Sequence, residues 1–204
     1  HMPSRRQRQM CIRDRPSALR VERLARQWDL PVWHLEDGLL RSVAKGRKHP
    51  PLALLVDELG VHFDATAPSR IEQLIAAPIT VTEANRARAL QRLWCEQRLS
   101  KVNPPREAEA PQESYVLVVD QSAGDRSIAL GLADASCFQR MLQAALQDHP
   151  DCTVVVKVHP DVISGRSRGH FTAEDLAHPR VRLSADAGHP ARLLERARAV
   201  YVVT

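Results

Sequence analysis

The sequence predicts an α/β protein with two domains, and three observations support that prediction. Residues 115–119 (YVLVV) and 153–158 (TVVVKV) are short and continuously apolar, as are strands buried on both faces of a parallel sheet. Between them, apolar residues recur at helical spacing over residues 138–146, so the segment forms a βαβ unit. Residues 101–114 hold three prolines among polar residues, which indicates a linker between two domains.

Residues 16–100 are predicted to form part of an N-terminal α/β domain, because helical and strand patterns alternate along them. The expected elements are a helix from Pro16 to about Trp28, strands at 31–35 and 52–56, a helix entered at 68–72 with Ser69 near its cap, and a longer helix from Thr82 to Leu99.

Residues 115–204 are predicted to be the first half of a second domain. After the βαβ unit we expect a short strand at 181–183, a helix from Pro190 to about Arg198 and a strand at 200–203. A parallel strand needs a covering helix, and the chain ends at Thr204 directly after the last strand. We therefore expect this domain to be incomplete at its carboxyl end.

Composition and charge limit the possible functions. The chain has 204 residues, of which 44% are apolar, and no apolar run approaches the length of about 18 residues that a membrane span needs. The four cysteines are dispersed, which favours a reducing, cytoplasmic setting. Residues 1–15 are basic and are predicted to be a disordered, solvated tail; a basic arm for nucleic acid or acidic lipid is the alternative. With only 4% aromatic residues we expect no nucleic-acid partner.

Two segments place charged groups directly after strands of the predicted sheets. Residues 36–42 (EDGLLRS) offer Glu36 for acid/base chemistry and Arg41 for an anionic ligand, although Arg41 could simply pair with the neighbouring acids. Residues 120–127 (DQSAGDRS) follow the first buried strand and therefore face the crevice where α/β proteins bind ligands. An ordinary loop with an aspartate helix cap is the alternative there.

Two further segments follow the second buried strand. Lys157 and His159 could neutralise a phosphate leaving group, and Pro160 restricts the backbone of His159 to an extended conformation. Residues 165–170 (GRSRGH) form a basic loop, expected to be mobile, whose Arg166 could reach a phosphate or carboxylate. The nine histidines lack the spacing of a metal site, so neither a metal nor another cofactor is expected.

The order of these segments resembles one family. EDGLLRS, PPLALLVDELGVHFDATAPSRIEQLI, YVLVVDQSAGDRSIALG and VVVKVHPDVISGRSRGHF are similar, in that order, to capsular polysaccharide β-Kdo transferases of the KpsC type. The resemblance extends from about residue 16 to residue 204. It implies two Rossmann-like domains facing each other across a cleft, which is the GT-B arrangement. It also implies retaining transfer of Kdo, an acidic eight-carbon sugar, from CMP-Kdo.

The resemblance assigns roles to particular residues. Asp125 would be the nucleophile, Glu36 the acid/base residue and His159, with Lys157, the group that stabilises the departing CMP phosphate. Apart from the resemblance, Gln121 and Ser127 are expected to contribute to substrate binding, and the charge of Arg41 or Arg166 suits the carboxylate of Kdo. The acceptor would be a lipid-linked Kdo oligosaccharide at the cytoplasmic face of the inner membrane, in capsule biosynthesis and export. We expect the 204-residue chain alone to be inactive; a non-catalytic nucleotide- or sugar-binding α/β module is the alternative.

Overall fold

The computed structural model describes residues 16–44 and 49–204. The predicted tail, residues 1–15, lies outside the described residues. The main feature is a parallel sheet in the order β5-β4-β3-β6. Its strands are β3 (Tyr115–Val119), β4 (Thr153–Lys157), β5 (Val181–Ser184) and β6 (Val200–Tyr201). All neighbouring pairs run parallel, so the prediction of a parallel α/β sheet is confirmed.

Two helices cover opposite faces of this sheet. Helix α5 (Ala135–Asp148) packs its apolar stripe, which includes the fully buried Phe138, on Val116, Val118 and Val154. Helix α8 (Ala191–Arg196) buries Leu193 against the other face. There the hydroxyl of Tyr115 donates to the carbonyl of Leu193 at 2.7 Å, which satisfies a buried polar group.

Three further helices are short; two of them lie near the carboxyl ends of β3 and β4, and the third precedes β5. They are α4 (Arg126–Leu130), α6 (Pro160–Ile163) and α7 (Ala173–Leu176). The sequence patterns predicted none of them, because each is too short for a hydrophobic period to develop. Helix α4 is capped by Asp125 and follows β3, while α6 follows β4. Helices α4 and α6 therefore set the position of the polar segments at the sheet edge.

The N-terminal part contains α1 (Pro16–Gln27), β1 (His34–Asp37), β2 (Leu54–Asp57), α2 (Arg70–Ala76) and α3 (Val81–Glu96). The elements occur close to where the sequence predicts them, but β1 and β2 pair antiparallel. A Rossmann-like domain would have paired neighbouring strands in parallel, so the expectation is wrong for these two. A parallel pair needs a long crossover, usually a helix, and the described residues between β1 and β2 form no helix.

The proline-containing segment 101–114 forms no helix or strand, yet it packs against the second part of the chain. Ala108 is buried and donates its backbone N–H to the carbonyl of His189 at 2.9 Å. Arg98, just before the segment, pairs with Glu107 at 3.0 Å and with Glu195 at 2.6 Å. The segment is thus held against α8.

Asp57, at the end of β2, joins that strand to α2. Its Oδ1 accepts the backbone N–H of Leu59 at 2.8 Å and of Gly60 at 3.1 Å, and its Oδ2 accepts that of Arg70 at 2.7 Å. Burial by itself raises the pKa of Asp57, but these backbone donors outweigh it, so the pKa lies below the ordinary 3.8. Ser69 caps the same helix in a reciprocal capping box with Glu72, as the sequence predicts.

Replacing Asp57 with Asn is expected to reduce the free energy of unfolding by about 1–3 kcal/mol at neutral pH, because a buried acceptor is replaced by a weaker one. The folded-state pKa is depressed, so the contribution is complete above the unfolded-state pKa and disappears as the pH falls through the folded-state value. Urea titrations at neutral pH and well below pH 3.8 measure this. Asp151→Asn, at an exposed acid, is the control; an Asp57 effect that persists undiminished in acid would contradict the prediction.

Candidate active site

Polar segments after β3, β4 and β6 meet at one edge of the parallel sheet. Carboxyl ends of parallel strands share an edge, which is where α/β proteins bind ligands. In this chain the edge is formed by residues 120–127, by residues 158–161 and by Thr204. The edge therefore combines carboxylates, hydroxyls, an amide and an imidazole.

Asp125 sits at the start of α4. Its Oδ1 accepts the backbone N–H of Ser127 at 3.0 Å and the Ser127 hydroxyl at 2.9 Å, so it is the helix N-cap. The turn before it passes through Gly124, whose φ of +84° lies in the left-handed region that favours glycine. The backbone N–H of Asp125 donates to the carbonyl of Ser122 at 3.1 Å. The carboxylate thus has a position defined by both the turn and the helix.

His159 lies at the same edge and is joined to the same turn. Its Nδ1 is 3.1 Å from the hydroxyl of Ser122 and accepts the backbone N–H of Asp161 at 3.1 Å. Ser122 therefore contacts His159 through its side chain and Asp125 through its main chain. Ser122 thus connects the imidazole of His159 to the turn that carries Asp125.

Thr204, three residues beyond β6, completes the cluster. The Gln121 amide donates to Thr204 Oγ1 at 2.9 Å, and that oxygen lies 3.3 Å from Ser127 Oγ. Gln121, Ser127 and Asp125 are consequently linked through hydroxyl groups. Sequence reasoning missed Thr204; its place after a strand parallel to β3 was the available signal.

A buried pair, Asp120 and His170, lies beneath this edge. Their side chains are only 3% and 7% exposed. Asp120 Oδ1 accepts the backbone N–H of His170 at 3.2 Å. His170 Nδ1 lies 3.0 Å from the carbonyl of Gln121, which can only accept, so Nδ1 carries the hydrogen. The ring stacks on Phe138 with centroids 3.8 Å apart.

The pair anchors the basic loop 165–170 to the turn after β3. A backbone hydrogen bond from the Ala123 N–H to the carbonyl of Arg168, at 2.7 Å, also holds the loop to this turn. The expectation of a mobile loop is therefore corrected at its carboxyl end, where buried hydrogen bonds hold it. Sequence reasoning missed both Asp120 and His170 in this role, because they lie 50 positions apart in the chain.

Gly169→Ala is expected to destabilise the fold by about 1–3 kcal/mol, the usual range for overpacking a well-packed site. A Cβ at residue 169 would lie 2.2 Å from Asp120 Oδ2, so the buried carboxylate would have to move. Chemical denaturation measures the change. In an Asp120→Ala background the same substitution is expected to cost less, since the clashing oxygen is gone; equal costs in both backgrounds would contradict this explanation.

Lys157, one of the basic residues proposed for the site, makes a structural contact. Lys157 lies on the same sheet face as Val155, and its ammonium donates to the backbone carbonyl of Asp186. Burial lowers the pKa of Lys157. The Arg106 guanidinium, hydrogen-bonded to Asp186, holds the pKa of that carboxyl far below its usual range. The same ion pair helps to hold the loop whose carbonyl Lys157 contacts. Lys157 is therefore directed towards the side of α8.

Arg166 and Arg41 are each paired with an acid. Arg166 binds Asp161 Oδ1 through Nε at 3.1 Å and through Nη2 at 2.6 Å. Asp161 lies two residues beyond His159. Arg41 donates to Asp37 Oδ2 at 2.9 Å and to the carbonyls at positions 44 and 49. The pairing of Arg41 with a neighbouring acid is the alternative that the sequence left open. Arg166 is near the edge described above, whereas Arg41 belongs to the N-terminal part.

Glu36 lies on β1, in register with Leu55 of β2, and so belongs to the separate two-stranded sheet. The loop after β2 brings this part of the chain towards α4, because Ala65 N–H donates to the carbonyl of Leu130 at 2.8 Å. In that loop, hydrogen bonds from Thr66 are the main cause of the lowered pKa of Asp64, and the charges of Arg126 and His34 add to it. His34 and Glu36 share a strand face.

Within the described ranges, no group of three or more His, Cys, Asp or Glu side chains could hold a metal ion. Among the same residues, no helix has both the length and the apolar character needed to cross a bilayer. The fold and the edge together define a class: a parallel α/β protein whose polar edge lies where α/β proteins bind ligands.

Comparison with known proteins narrows this class. The family described as "Capsule polysaccharide biosynthesis protein" matches residues 10–97 and 83–204. The chain belongs to this capsule polysaccharide biosynthesis family. It is 38% identical over 202 residues to the capsule polysaccharide modification protein LipA of Neisseria meningitidis serogroup B, and 34% identical over 185 residues to the lipopolysaccharide-processing protein LpsZ of Rhizobium meliloti.

The structure is similar to Thermosulfurimonas dismutans KpsC, described as a beta Kdo 2,4 transferase, with a TM-score of 0.82 and 35% identity over 91% of the chain. A second KpsC structure from that organism, a beta Kdo 2,7 transferase, shares the fold at a TM-score of 0.52 and 23% identity. The chain spans 28% of the LipA relative, 42% of LpsZ and 60% of the first KpsC chain. The chain therefore corresponds to only part of the length of each of these relatives.

Proposed function

We propose that this chain carries the donor side of a retaining glycosyltransferase that moves β-Kdo from CMP-Kdo to a lipid-linked Kdo oligosaccharide. The observation that carries the proposal is the edge at which Ser122 contacts both Asp125 and His159. The similarity to a KpsC β-Kdo 2,4 transferase supports the choice of sugar. Membership in the capsule polysaccharide family supports the biosynthetic role.

The proposed reaction has two displacements. The Asp125 carboxylate attacks the anomeric carbon of Kdo, the bond to the CMP phosphate breaks, and a glycosyl ester forms on the enzyme. His159 donates a hydrogen bond to the departing phosphate. In the second step Glu36 takes the proton of the acceptor hydroxyl, whose oxygen then displaces Asp125. Two inversions give overall retention, and CMP is a good enough leaving group to need no metal.

Substrate contacts follow from the same edge. Gln121 and Ser127 lie beside Asp125 and are suited to hydrogen-bond the nucleotide or the sugar. Arg166 lies close to His159 through Asp161, so its charge favours an anionic ligand there. Lys157 and Arg41 would have to exchange their present backbone and carboxylate partners to bind substrate. We therefore assign Lys157 and Arg41 weaker contributions than Gln121, Ser127 and Arg166.

The GT-B arrangement is part of the proposal. In it, β1 with Glu36 belongs to the domain that binds the acceptor, and the parallel sheet belongs to the domain that binds the donor. The acceptor is membrane-anchored, so we propose that the enzyme works at the cytoplasmic face of the inner membrane as a peripheral protein.

Calorimetric titration with CMP tests the donor site on this chain. We expect CMP to bind, AMP at the same concentration to bind more weakly, and mutation of His159 to weaken CMP binding. No heat with CMP, or equal affinity for CMP and AMP, would contradict the donor assignment. Transfer itself is assayed with CMP-Kdo, a Kdo-terminated acceptor and the full translation product of the gene, whatever its length. CMP binding with no transfer in that assay would favour the non-catalytic binding module.

A further inference from the structure

Ser122 occupies a position that none of the proposed roles explains. It lies in the turn after β3, three residues past the strand, and is partly buried. Its carbonyl accepts the Asp125 N–H and its hydroxyl lies 3.1 Å from His159 Nδ1. Neither contact involves a reacting atom of the proposed mechanism, since the carboxylate of Asp125 and the other ring nitrogen of His159 do the chemistry.

The second partner of His159 Nδ1 indicates how the imidazole is protonated. The Asp161 backbone N–H can only donate, and it points to Nδ1 at 3.1 Å. A neutral ring nitrogen that accepts a hydrogen bond carries no hydrogen, so the proton of the neutral ring is on Nε2. The Ser122 hydroxyl then also acts as a donor to Nδ1, because that nitrogen offers only its lone pair.

The Asp161 carboxylate opposes this arrangement. The Asp161 Oδ2 lies 3.8 Å from Nδ1 and would favour a proton there. The Asp161 carboxylate is already paired with the Arg166 guanidinium, which offsets its charge. The two donors at Nδ1 are at hydrogen-bond distance, whereas the carboxylate oxygen is not. The geometry therefore favours the tautomer with hydrogen on Nε2.

We propose that Ser122 is a positioning residue that holds His159 as the Nε2–H tautomer and fixes its ring relative to Asp125. The benefit of this tautomer rests on the proposed function. With hydrogen on Nε2, the ring offers a donor, and not a lone pair, to the phosphate oxygen of the leaving CMP. A departing phosphate gains negative charge, so a donor stabilises it and a lone pair would repel it. The Ser122 carbonyl keeps the Asp125 turn at a fixed distance from that donor.

Nitrogen NMR of the His-labelled chain measures the tautomer directly, at a pH of about 8 where an ordinary imidazole is neutral. The His159 signals are assigned by their loss in His159→Ala. We expect wild type to show protonated Nε2 and unprotonated Nδ1. Ser122→Ala is expected to shift the tautomer ratio towards Nδ1–H by roughly 3- to 10-fold, the worth of one hydrogen bond. Ser122→Thr, which keeps the hydroxyl, is expected to restore the wild-type ratio.

Ser114→Ala is the matched control, because Ser114 is an exposed hydroxyl at the opposite end of β3. It should leave the His159 signals unchanged. A wild-type ring with hydrogen on Nδ1, or a Ser122→Ala ratio equal to wild type, would overturn the inference. Urea unfolding of each variant shows that the fold is retained.

Titration with CMP separates this inference from the proposed function. We expect Ser122→Ala to weaken CMP binding roughly 3- to 10-fold and Ser122→Thr to restore it. Equal CMP affinity in wild type and Ser122→Ala would overturn the positioning role. If wild type does not bind CMP at all, the proposed function fails, and the NMR ratios alone decide whether Ser122 sets the tautomer of His159.

Discussion

Asp125→Asn is expected to lower Kdo transfer by at least about 10³-fold, the scale of loss when a catalytic nucleophile is removed. Asparagine has the same shape and is itself a good N-cap, so its Oδ1 can keep the hydrogen bonds from Ser127 that start α4. What it lacks is the negative charge that attacks the sugar. Initial rates of transfer from CMP-Kdo, measured on the full translation product, give the result.

The control for Asp125 is Asp134→Asn. Asp134 is also an N-cap, at the start of α5, and it lies outside the edge cluster. We expect Asp134→Asn to transfer Kdo at the wild-type rate, and Asp125→Asn to bind CMP within about twofold of wild type because the phosphate contacts are retained. A rate for Asp125→Asn close to wild type would exclude Asp125 as the nucleophile.

His159→Ala is expected to reduce transfer by about 10²-fold or more, because one preorganised donor to a developing charge contributes on that scale. Unlike Asp125→Asn, it should also weaken CMP binding, since the phosphate loses a partner in the ground state. The paired measurements are transfer rate and CMP affinity. His178→Ala, at an exposed histidine in the loop before β5, serves as the control and should change neither. Unchanged transfer in His159→Ala would exclude the leaving-group role.

The parallel sheet could be predicted from the sequence because its signals are local. The strand segments at Tyr115 and Thr153 are continuous apolar runs, and the helix between them has a clear apolar stripe. The cap at Ser69 was also visible, since a serine followed three residues later by glutamate is the pattern of a capping box. Local patterns of this kind need no knowledge of tertiary contacts.

The pairing of β1 with β2 could not be predicted in this way. Two short strands have the same apolar pattern whether they pair parallel or antiparallel, and the choice depends on the connection between them. The buried Asp120–His170 pair was equally hidden, because nothing in the sequence indicates that positions 50 residues apart will meet. Both features depend on tertiary structure.

The orientation of Lys157 was predictable in principle. Alternation along β4 places it on the face of Val155, towards α8, and two residues before His159. Proximity to His159 in the sequence suggested a shared phosphate site. The backbone carbonyl of Asp186 now satisfies the ammonium group instead. The side chain at the end of a strand need not point in the same direction as a side chain in the turn that follows.

Trapping the glycosyl-enzyme shows directly whether Asp125 is the nucleophile. The full translation product is incubated with CMP-Kdo in the absence of acceptor, quenched and digested, and its peptides are weighed by mass spectrometry. We expect one Kdo attached to the peptide that contains Asp125, and no attached Kdo in Asp125→Asn. Kdo bound to another residue, or full transfer activity in Asp125→Asn, would contradict this assignment.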